Sequence, residues 1–197
     1  MRDYLLILDL DETLIHRSLT SSDYQFNMVV GEWFIYFRPF CKSFIEDCQR
    51  TFDVAIWTAS NVSYAVPIVV ELFRGRNPPA FVFTGTECRR YEGNITKPLE
   101  RVEALGYSLS RVLIVDDRPE MYVHHPRNGI PIIPFTGSLI DTELLYLRPY
   151  LEALSLISDI REVNKEHWRH LQGYTNRFLG GITPTSPHLL LKMVSRP

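Results

Sequence analysis

An apolar stretch, Tyr4 to Leu8, runs directly into Asp9-Leu10-Asp11-Glu12-Thr13-Leu14. A short apolar run without polar alternation is the pattern of a strand buried on both faces, as in a parallel sheet covered by helices. Such a strand delivers the residues after it to the carboxyl edge of the sheet. In extended chain, residues i and i+2 project to the same side, so Asp9 and Asp11 can face one ligand. Two carboxylates that close repel each other, which calls for a cation or a shared proton between them.

Four further apolar runs have strand character: Asp53 to Trp57, Ala80 to Phe83, Arg111 to Val115 and Ile130 to Pro134. Helical signals separate them. Pro39 to Arg50 places Phe40, Phe44 and Cys48 on one face, with Pro39 suited to a first helical turn. Ser60 or Asn61 caps a stretch to Phe73 that Pro67 should bend or shorten. Pro98 opens a short helix ending at Gly106, and Asp141 caps a longer one to about Ile157. The alternation predicts an α/β fold, Rossmann-like, with a central parallel sheet and helices on both faces.

Two regions break the alternation. Tyr24 to Phe37 reads as a hairpin turning at Gly31-Glu32, aromatic on both faces; packing against the body and a flap beside the site fit it equally. Beyond Asp159 a mixed-charge stretch, Arg161 to Gly173, reads as a surface helix followed by a Gly- and Pro-containing tail. The expected division is an α/β domain over 1–160, with 24–37 as its hairpin flap, and a helical extension with tail over 161–197.

The net charge of -2 provides no global attraction to nucleic acid or anionic membranes. Cys41 and Cys48 fall on one face of the first helix, so the cysteines read as reduced core residues rather than ligands or disulfides. No basic leader precedes Asp9 and no run approaches membrane-spanning length. The expected location is the cytoplasm, or the nucleus of a eukaryotic cell.

Three of the expected strands end in polar residues with an evident chemical use. The first ends in Asp9 and Asp11, the second in Thr58-Ala59-Ser60, and a later one in Asp116-Asp117. Ligands of open α/β sheets bind beyond these carboxyl ends. Hard oxygen donors suit Mg²⁺, and a hydroxyl with a lysine suits a phosphoryl group. Lys97 precedes Pro98, which would place its ammonium at a helix N-terminus. Taken singly, Asp9, Thr58, Lys97 and Asp116-Asp117 also read as turn, cap or surface residues. Their order and placement together are specific.

These residues resemble the four motifs of the haloacid dehalogenase-like phosphatases: Asp9-Leu10-Asp11-Glu12-Thr13, Thr58, Lys97 and Asp116-Asp117. Asp9 to His16, Arg38-Pro39, Trp57-Thr58-Ala59-Ser60, Gly93-Asn94, Tyr122-Val123 with His125-Pro126, and Asp141-Thr142-Glu143-Leu144 are similar more narrowly to the phosphatases of the RNA polymerase II C-terminal domain and their small relatives. Tyr64 matches an aromatic position of that family's substrate pocket. Asp117 stands where the small members usually carry Asn, Leu19 replaces a pocket aromatic, and Arg89 and Arg90 are offset from the family's substrate-binding arginine.

The resemblance implies a Mg²⁺-dependent phosphomonoester hydrolase. Asp9 would be the nucleophile and Asp11 the proton shuttle. Mg²⁺ would lie between Asp9, the Asp11 carbonyl and Asp117. Thr58, Ala59, Tyr64 and Lys97 would contact substrate, and Asp116 would orient Lys97. Glu12 reads as a local loop residue. About 25 residues separate Asp11 from Arg38 and about 38 separate Thr58 from Lys97, too few for a large cap domain. An open crevice suits a phosphorylated side chain on a protein, bordered by Tyr24, Trp33, Phe34 and Tyr64, which equally read as core. The expected substrate is a phosphoserine or phosphothreonine protein. A small-molecule phosphatase with a minimal flap and a catalytically silent phosphopeptide scaffold are the alternatives.

Overall fold

The computed structural model describes residues 3–21 and 25–169. Ten strands and four α-helices follow one another among the described residues: β1 (Leu5–Leu8), β2 (Ile15–Ser18), β3 (Met28–Val30), β4 (Trp33–Phe37), α1 (Cys41–Thr51), β5 (Asp53–Trp57), α2 (Val62–Leu72), β6 (Val82–Phe83), β7 (Arg89–Tyr91), β8 (Asn94–Thr96), α3 (Glu100–Glu103), β9 (Val112–Asp116), β10 (Gly129–Pro131) and α4 (Glu143–Leu154). The central sheet is parallel, in the order β10-β9-β1-β5-β6. All five expected strands are present: Asp53–Trp57 has the expected ends, and each of the others has at least one end shifted by one to three residues.

The absence of polar alternation in β1, β5 and β9 follows from their position. Leu6, Leu8, Val54, Ile56, Leu113 and Val115 face one core layer with α1, α2 and α4. Leu5, Ile7, Ala55, Trp57, Val112 and Ile114 face the other, with Leu99, Val102, Met121 and Tyr122. Burying both faces of each strand supplies most of the driving force, at about 25 cal/mol per Å² of apolar surface. On α1, Cys41, Phe44, Ile45 and Cys48 form the buried stripe. That helix starts at Cys41, after Phe40 in a left-handed conformation, so Pro39 precedes the helix rather than opening it.

The helix expected to bend or shorten at Pro67 runs through it to Leu72, one residue before the expected end. Asn61 Oδ1 accepts from Tyr64 N at 2.9 Å, and Tyr64, Ala65, Ile68, Val69 and Leu72 are buried below. The lost backbone bond at Pro67 is outweighed by that buried face. At α4, Thr142 holds the cap position, while Asp141 Oδ1 accepts from Glu143 N at 3.0 Å.

The expected hairpin is β3 and β4, joined at Gly31-Glu32. It carries a third strand that the sequence pattern concealed, because β2 pairs antiparallel with β4 in the order β2-β4-β3. Tyr24 lies outside the described residues. A second ribbon, β7-β8, precedes Lys97.

From Arg161, the expected surface helix is replaced, over its described part, by a 3-10 turn (Ile160–Glu162) and irregular chain packed into the body. Trp168 is buried, donates from Nε1 to Pro131 O at 2.7 Å and stacks on Tyr150. Lys165 is buried too, its Nζ donating to Ile160 O at 2.6 Å and Val163 O at 2.8 Å. Burying Trp168 outweighs the weak helical pattern of this stretch, whose remainder lies outside the described residues. Among the described residues, no helix is long and apolar enough to cross a membrane.

Candidate active site

The strand order places the site. Successive connections add β5 and β6 on one side of β1 and then β9 and β10 on the other, so winding reverses at β1. A crevice opens beyond the carboxyl ends at such a reversal. The register pairs Leu8 with Ile56 and with Val115, which brings Asp9 level with Trp57 and Asp116. Asp9 N donates to Val115 O at 3.1 Å, extending the ladder one residue past β1.

Lys97 enters this crevice from the end of the β7-β8 ribbon, its backbone N donating to Met121 O at 2.6 Å. Its ammonium is fully buried and donates to Asp9 Oδ1 and to Asp116 Oδ2, both at 2.6 Å. The expected support from a helix N-terminus is not what holds it. The helix α3 begins only at Glu100 and is a single turn. Burial works against the charge on Lys97, but Asp116 and Asp9 outweigh it and hold the group above its ordinary range. Asp116 Oδ1 accepts from Arg118 N at 3.0 Å, so both of its oxygens are engaged.

One ammonium facing two buried carboxylates leaves an uncompensated negative charge. Burial pushes the Asp9 carboxyl up to about 7, with Lys97 pulling it down and Asp116 pushing it further up. Asp117, half-buried, is raised to about 6 by burial and then by Asp9. The carboxylates of Asp9, Asp116 and Asp117 each bring an oxygen within 4.8 Å of the others. This all-oxygen set fits a hard divalent cation. Because Lys97 and Arg118 occupy both oxygens of Asp116, the carboxylates of this set left to such an ion are those of Asp9 and Asp117.

Asp11 occupies different surroundings. Tyr64 donates from its hydroxyl to Asp11 Oδ1 at 2.6 Å, and Ser60 donates to Oδ2 at 2.8 Å. Burial, then Asp11, push the Tyr64 phenol far above its usual value, so it stays a donor. Tyr64 therefore acts on the second aspartate rather than only bordering a pocket. Thr58, buried at the end of β5, accepts from Ser60 N at its Oγ1 at 3.0 Å and shapes the turn that presents Ala59 and Ser60. Gly85 closes against this turn, donating to Ser60 O at 2.9 Å; a Cβ there would meet Ala59 O at 2.7 Å.

The loop carrying Asp9 and Asp11 is held from behind. Glu12 has a left-handed backbone and shares a 3.0 Å hydrogen bond with His16 Nδ1, a local role. Arg38 is almost fully buried and donates from Nη1 to Thr13 O at 3.0 Å, from Nη2 to Ile133 O at 2.9 Å, and from Nε and Nη2 to the Asp141 carboxylate at 2.8 Å. In the sequence Arg38-Pro39 carries only a family resemblance, and neither Arg17 nor the Ser60 contact has a local signal. Of the aromatics expected at the rim, Trp33 lies under Arg17, while Phe34 packs against Phe26 with the two rings tilted by 56°.

Comparison with known proteins agrees with this geometry. A family model described as "NLI interacting factor-like phosphatase" matches residues 4–161. The chain is 34% identical to "Probable C-terminal domain small phosphatase" of Dictyostelium discoideum over 82% of this chain and 54% of that protein. It is 33% identical to human "Carboxy-terminal domain RNA polymerase II polypeptide A small phosphatase 1" over 82% of this chain and 63% of the relative. The chain thus spans little more than half to about three-fifths of these relatives. Among solved structures, "The Structure of Fcp1, an essential RNA polymerase II CTD phosphatase" superposes with a TM-score of 0.53 at 20% identity, covering 95% of this chain and 56% of that one. An uncharacterized protein from Listeria monocytogenes serotype 4b gives 0.54 at 15% identity, covering 78% and 99%. The structural likeness establishes the haloacid dehalogenase-like fold, and on the family match the chain belongs to the NLI interacting factor-like phosphatase family.

Proposed function

We propose that this protein hydrolyses phosphomonoesters of serine and threonine side chains on proteins, with Mg²⁺ as cofactor and Asp9 as the transient phosphoryl acceptor. The observation that carries the reading is the contrast between Asp9 and Asp11. Asp9 is paired with a buried ammonium at 2.6 Å, whereas Asp11 accepts from two neutral hydroxyls, with the part-exposed Arg17 guanidinium farther off at 3.7 Å. Carboxylates in such different surroundings can divide the roles of nucleophile and acid/base.

In the first half-reaction Asp9 Oδ2 attacks phosphorus in line. The ester P–O bond breaks, and the leaving alkoxide takes the Asp11 proton. In the second, Asp11 takes a proton from water as the water oxygen attacks phosphorus, releasing inorganic phosphate and restoring Asp9. The Ser60 hydroxyl suits both states of Asp11, because it can donate to the carboxylate and accept from the acid. Lys97 offsets charge at Asp9, and Asp116 keeps Lys97 in place. Thr58 would donate to a phosphoryl oxygen. Mg²⁺, held by Asp9 and Asp117, would neutralise charge between nucleophile and phosphate.

A protein substrate is supported by what surrounds the crevice. The inserts are a three-stranded sheet and a two-stranded ribbon, with no large cap among the described residues. A groove of about 510 Å³ lined by Ala59, Asn61, Val62, Ser63, Gly85 and Thr86 runs beside the Thr58 turn, with room for residues flanking a phosphorylated side chain. The names of the two relatives also describe C-terminal domain phosphatases, in one case of an RNA polymerase II polypeptide.

The test has two stages. Turnover of p-nitrophenyl phosphate that requires Mg²⁺ is expected; no turnover with any divalent ion would favour a silent scaffold. A panel of phosphopeptides and phosphorylated metabolites should then show higher kcat/KM for peptides, and the reverse ranking would move the assignment to small molecules.

A further inference from the structure

Arg17 stands out because β2 places its guanidinium beside Asp11 while leaving it part-exposed. On that strand Ile15 and Arg17 share the face turned to the body, and Ile15 is buried. The guanidinium carbon lies 4.8 Å from the ring centroid of Trp33 on β4 and 5.2 Å from that of Tyr64 on α2. Its nearest carboxylate contact is Asp11 Oδ1, 3.7 Å from Nε, beyond hydrogen-bond length. The side chain is 39% exposed. Arg17 is therefore held by two aromatic faces, a long ion pair with Asp11 and a bond to the Tyr64 hydroxyl, which leaves its other N–H donors for a ligand.

Its place relative to the chemistry indicates which ligand. In an in-line displacement the attacking and leaving oxygens lie on opposite sides of phosphorus. Asp11, as proton donor to the leaving oxygen, stands on the leaving-group side, and Arg17 touches Asp11 from beyond. Arg17 therefore faces the part of the substrate that carries the phosphate, not the transferred phosphoryl group. Asp9, Asp11, Asp116 and Asp117 make this mouth repulsive to an acidic ligand, and Lys97 is already bonded to two of them. Simple charge balance for Asp11 would be served equally by lysine. A planar cation fixed between two rings is instead suited to bidentate recognition of a carboxylate or phosphate.

We infer that Arg17, stacked between Trp33 and Tyr64 beside Asp11, is a specificity-determining residue that selects phosphopeptides carrying a second anionic group next to the phosphorylated residue. This rests on the proposed phosphatase reading for its geometry, and the experiment separates the two. Three matched phosphopeptides differ only at the flanking residue, which is Gln, Glu or a second phosphoserine. Their kcat/KM values are compared in the wild type, Arg17→Gln and Arg17→Lys. The ratio of anionic to neutral peptide is the readout, not the absolute rate. The wild type should favour the anionic peptides about 10-fold, Arg17→Gln should bring the ratio near 1, and Arg17→Lys should keep only about 3-fold. The two anionic arms show whether carboxylate or phosphate is read.

The same peptides, fluorescently labelled, are titrated against Asp9→Asn with and without Arg17→Gln. An Arg17-dependent binding preference without wild-type turnover would sustain the inference while sinking the phosphatase reading. Turnover with a wild-type ratio near 1, or a ratio unchanged in Arg17→Gln and Arg17→Lys, would overturn the inference alone.

Discussion

The floor of the crevice and the small sheet β2-β4-β3, proposed as a flap, hold charge in opposite ways. On the floor, Asp9, Lys97 and Asp116 are nearly or fully buried, at 7%, 0% and 1% exposure, and are joined by 2.6 Å hydrogen bonds. On the flap, Arg17 is part-exposed and held by ring faces at 4.8 and 5.2 Å. Charge interactions strengthen as water is excluded, so each floor group is tightly determined by the others. Flap contacts are weaker and more adaptable. The floor should therefore decide whether chemistry occurs, and the flap which substrate is chosen.

Asp9→Asn should lower kcat by about 10⁴-fold or more while leaving the melting temperature nearly unchanged. Normal turnover in that variant would undo the contrast at its centre. Lys97→Met should cost about 10³-fold in kcat/KM on every substrate. It also strands two buried carboxylates, costing about 3–5 kcal/mol at neutral pH by melting or denaturant titration. The pH dependence of that loss has a definite sign. Burial already raises Asp9 to about 7 and Asp116 above its ordinary range even with Lys97 opposing. A carboxyl whose folded pKa is raised contributes stability at low pH that is lost as pH rises through the folded value. The variant should therefore recover stability between neutral pH and about 4, and a penalty that grows on acidification would contradict the account of the floor.

Exhaustive chelation should reduce turnover to about 1% of its starting value, with recovery on adding Mg²⁺; undiminished activity would remove the metal from the floor. Tyr64→Phe removes one hydrogen bond to Asp11 and should lower kcat about 10-fold, more for substrates with poor leaving groups, since those rely most on proton donation. Equal losses for good and poor leaving groups would make Tyr64 a packing residue. Trp33→Ala should have the smallest effect, about a 3-fold rise in KM for acidic peptides with kcat nearly unchanged. A loss of kcat on all substrates would erase the division between floor and flap.

The strands of the sheet were legible because β1, β5 and β9 bury both faces and so leave unbroken apolar runs. The acids of the floor were legible for a related reason, since they directly follow those runs. The strand β2 was not, because Ile15-His16-Arg17-Ser18 is short, polar and only half-buried. The burial of Trp168 was equally hidden. Each depends on a partner distant in sequence, such as Pro131 for Trp168. Arg38 could have been suspected from its Arg-Pro motif, but its three anchors at Thr13, Ile133 and Asp141 lie up to 103 positions away from it.

The central parallel sheet, and the acids, hydroxyl and lysine at its carboxyl edge, are written in the local order of the chain. Local order suffices for them, because a buried strand carries its own signal and the next residues must emerge at its end. How those groups are partnered was settled only in the folded arrangement. Lys97 joins Asp9 to Asp116, Tyr64 and Ser60 take Asp11, and Arg17 comes to rest between Trp33 and Tyr64. These pairings depend on register, strand order and the reach of side chains across the crevice, and no local pattern encodes distances between segments so far apart.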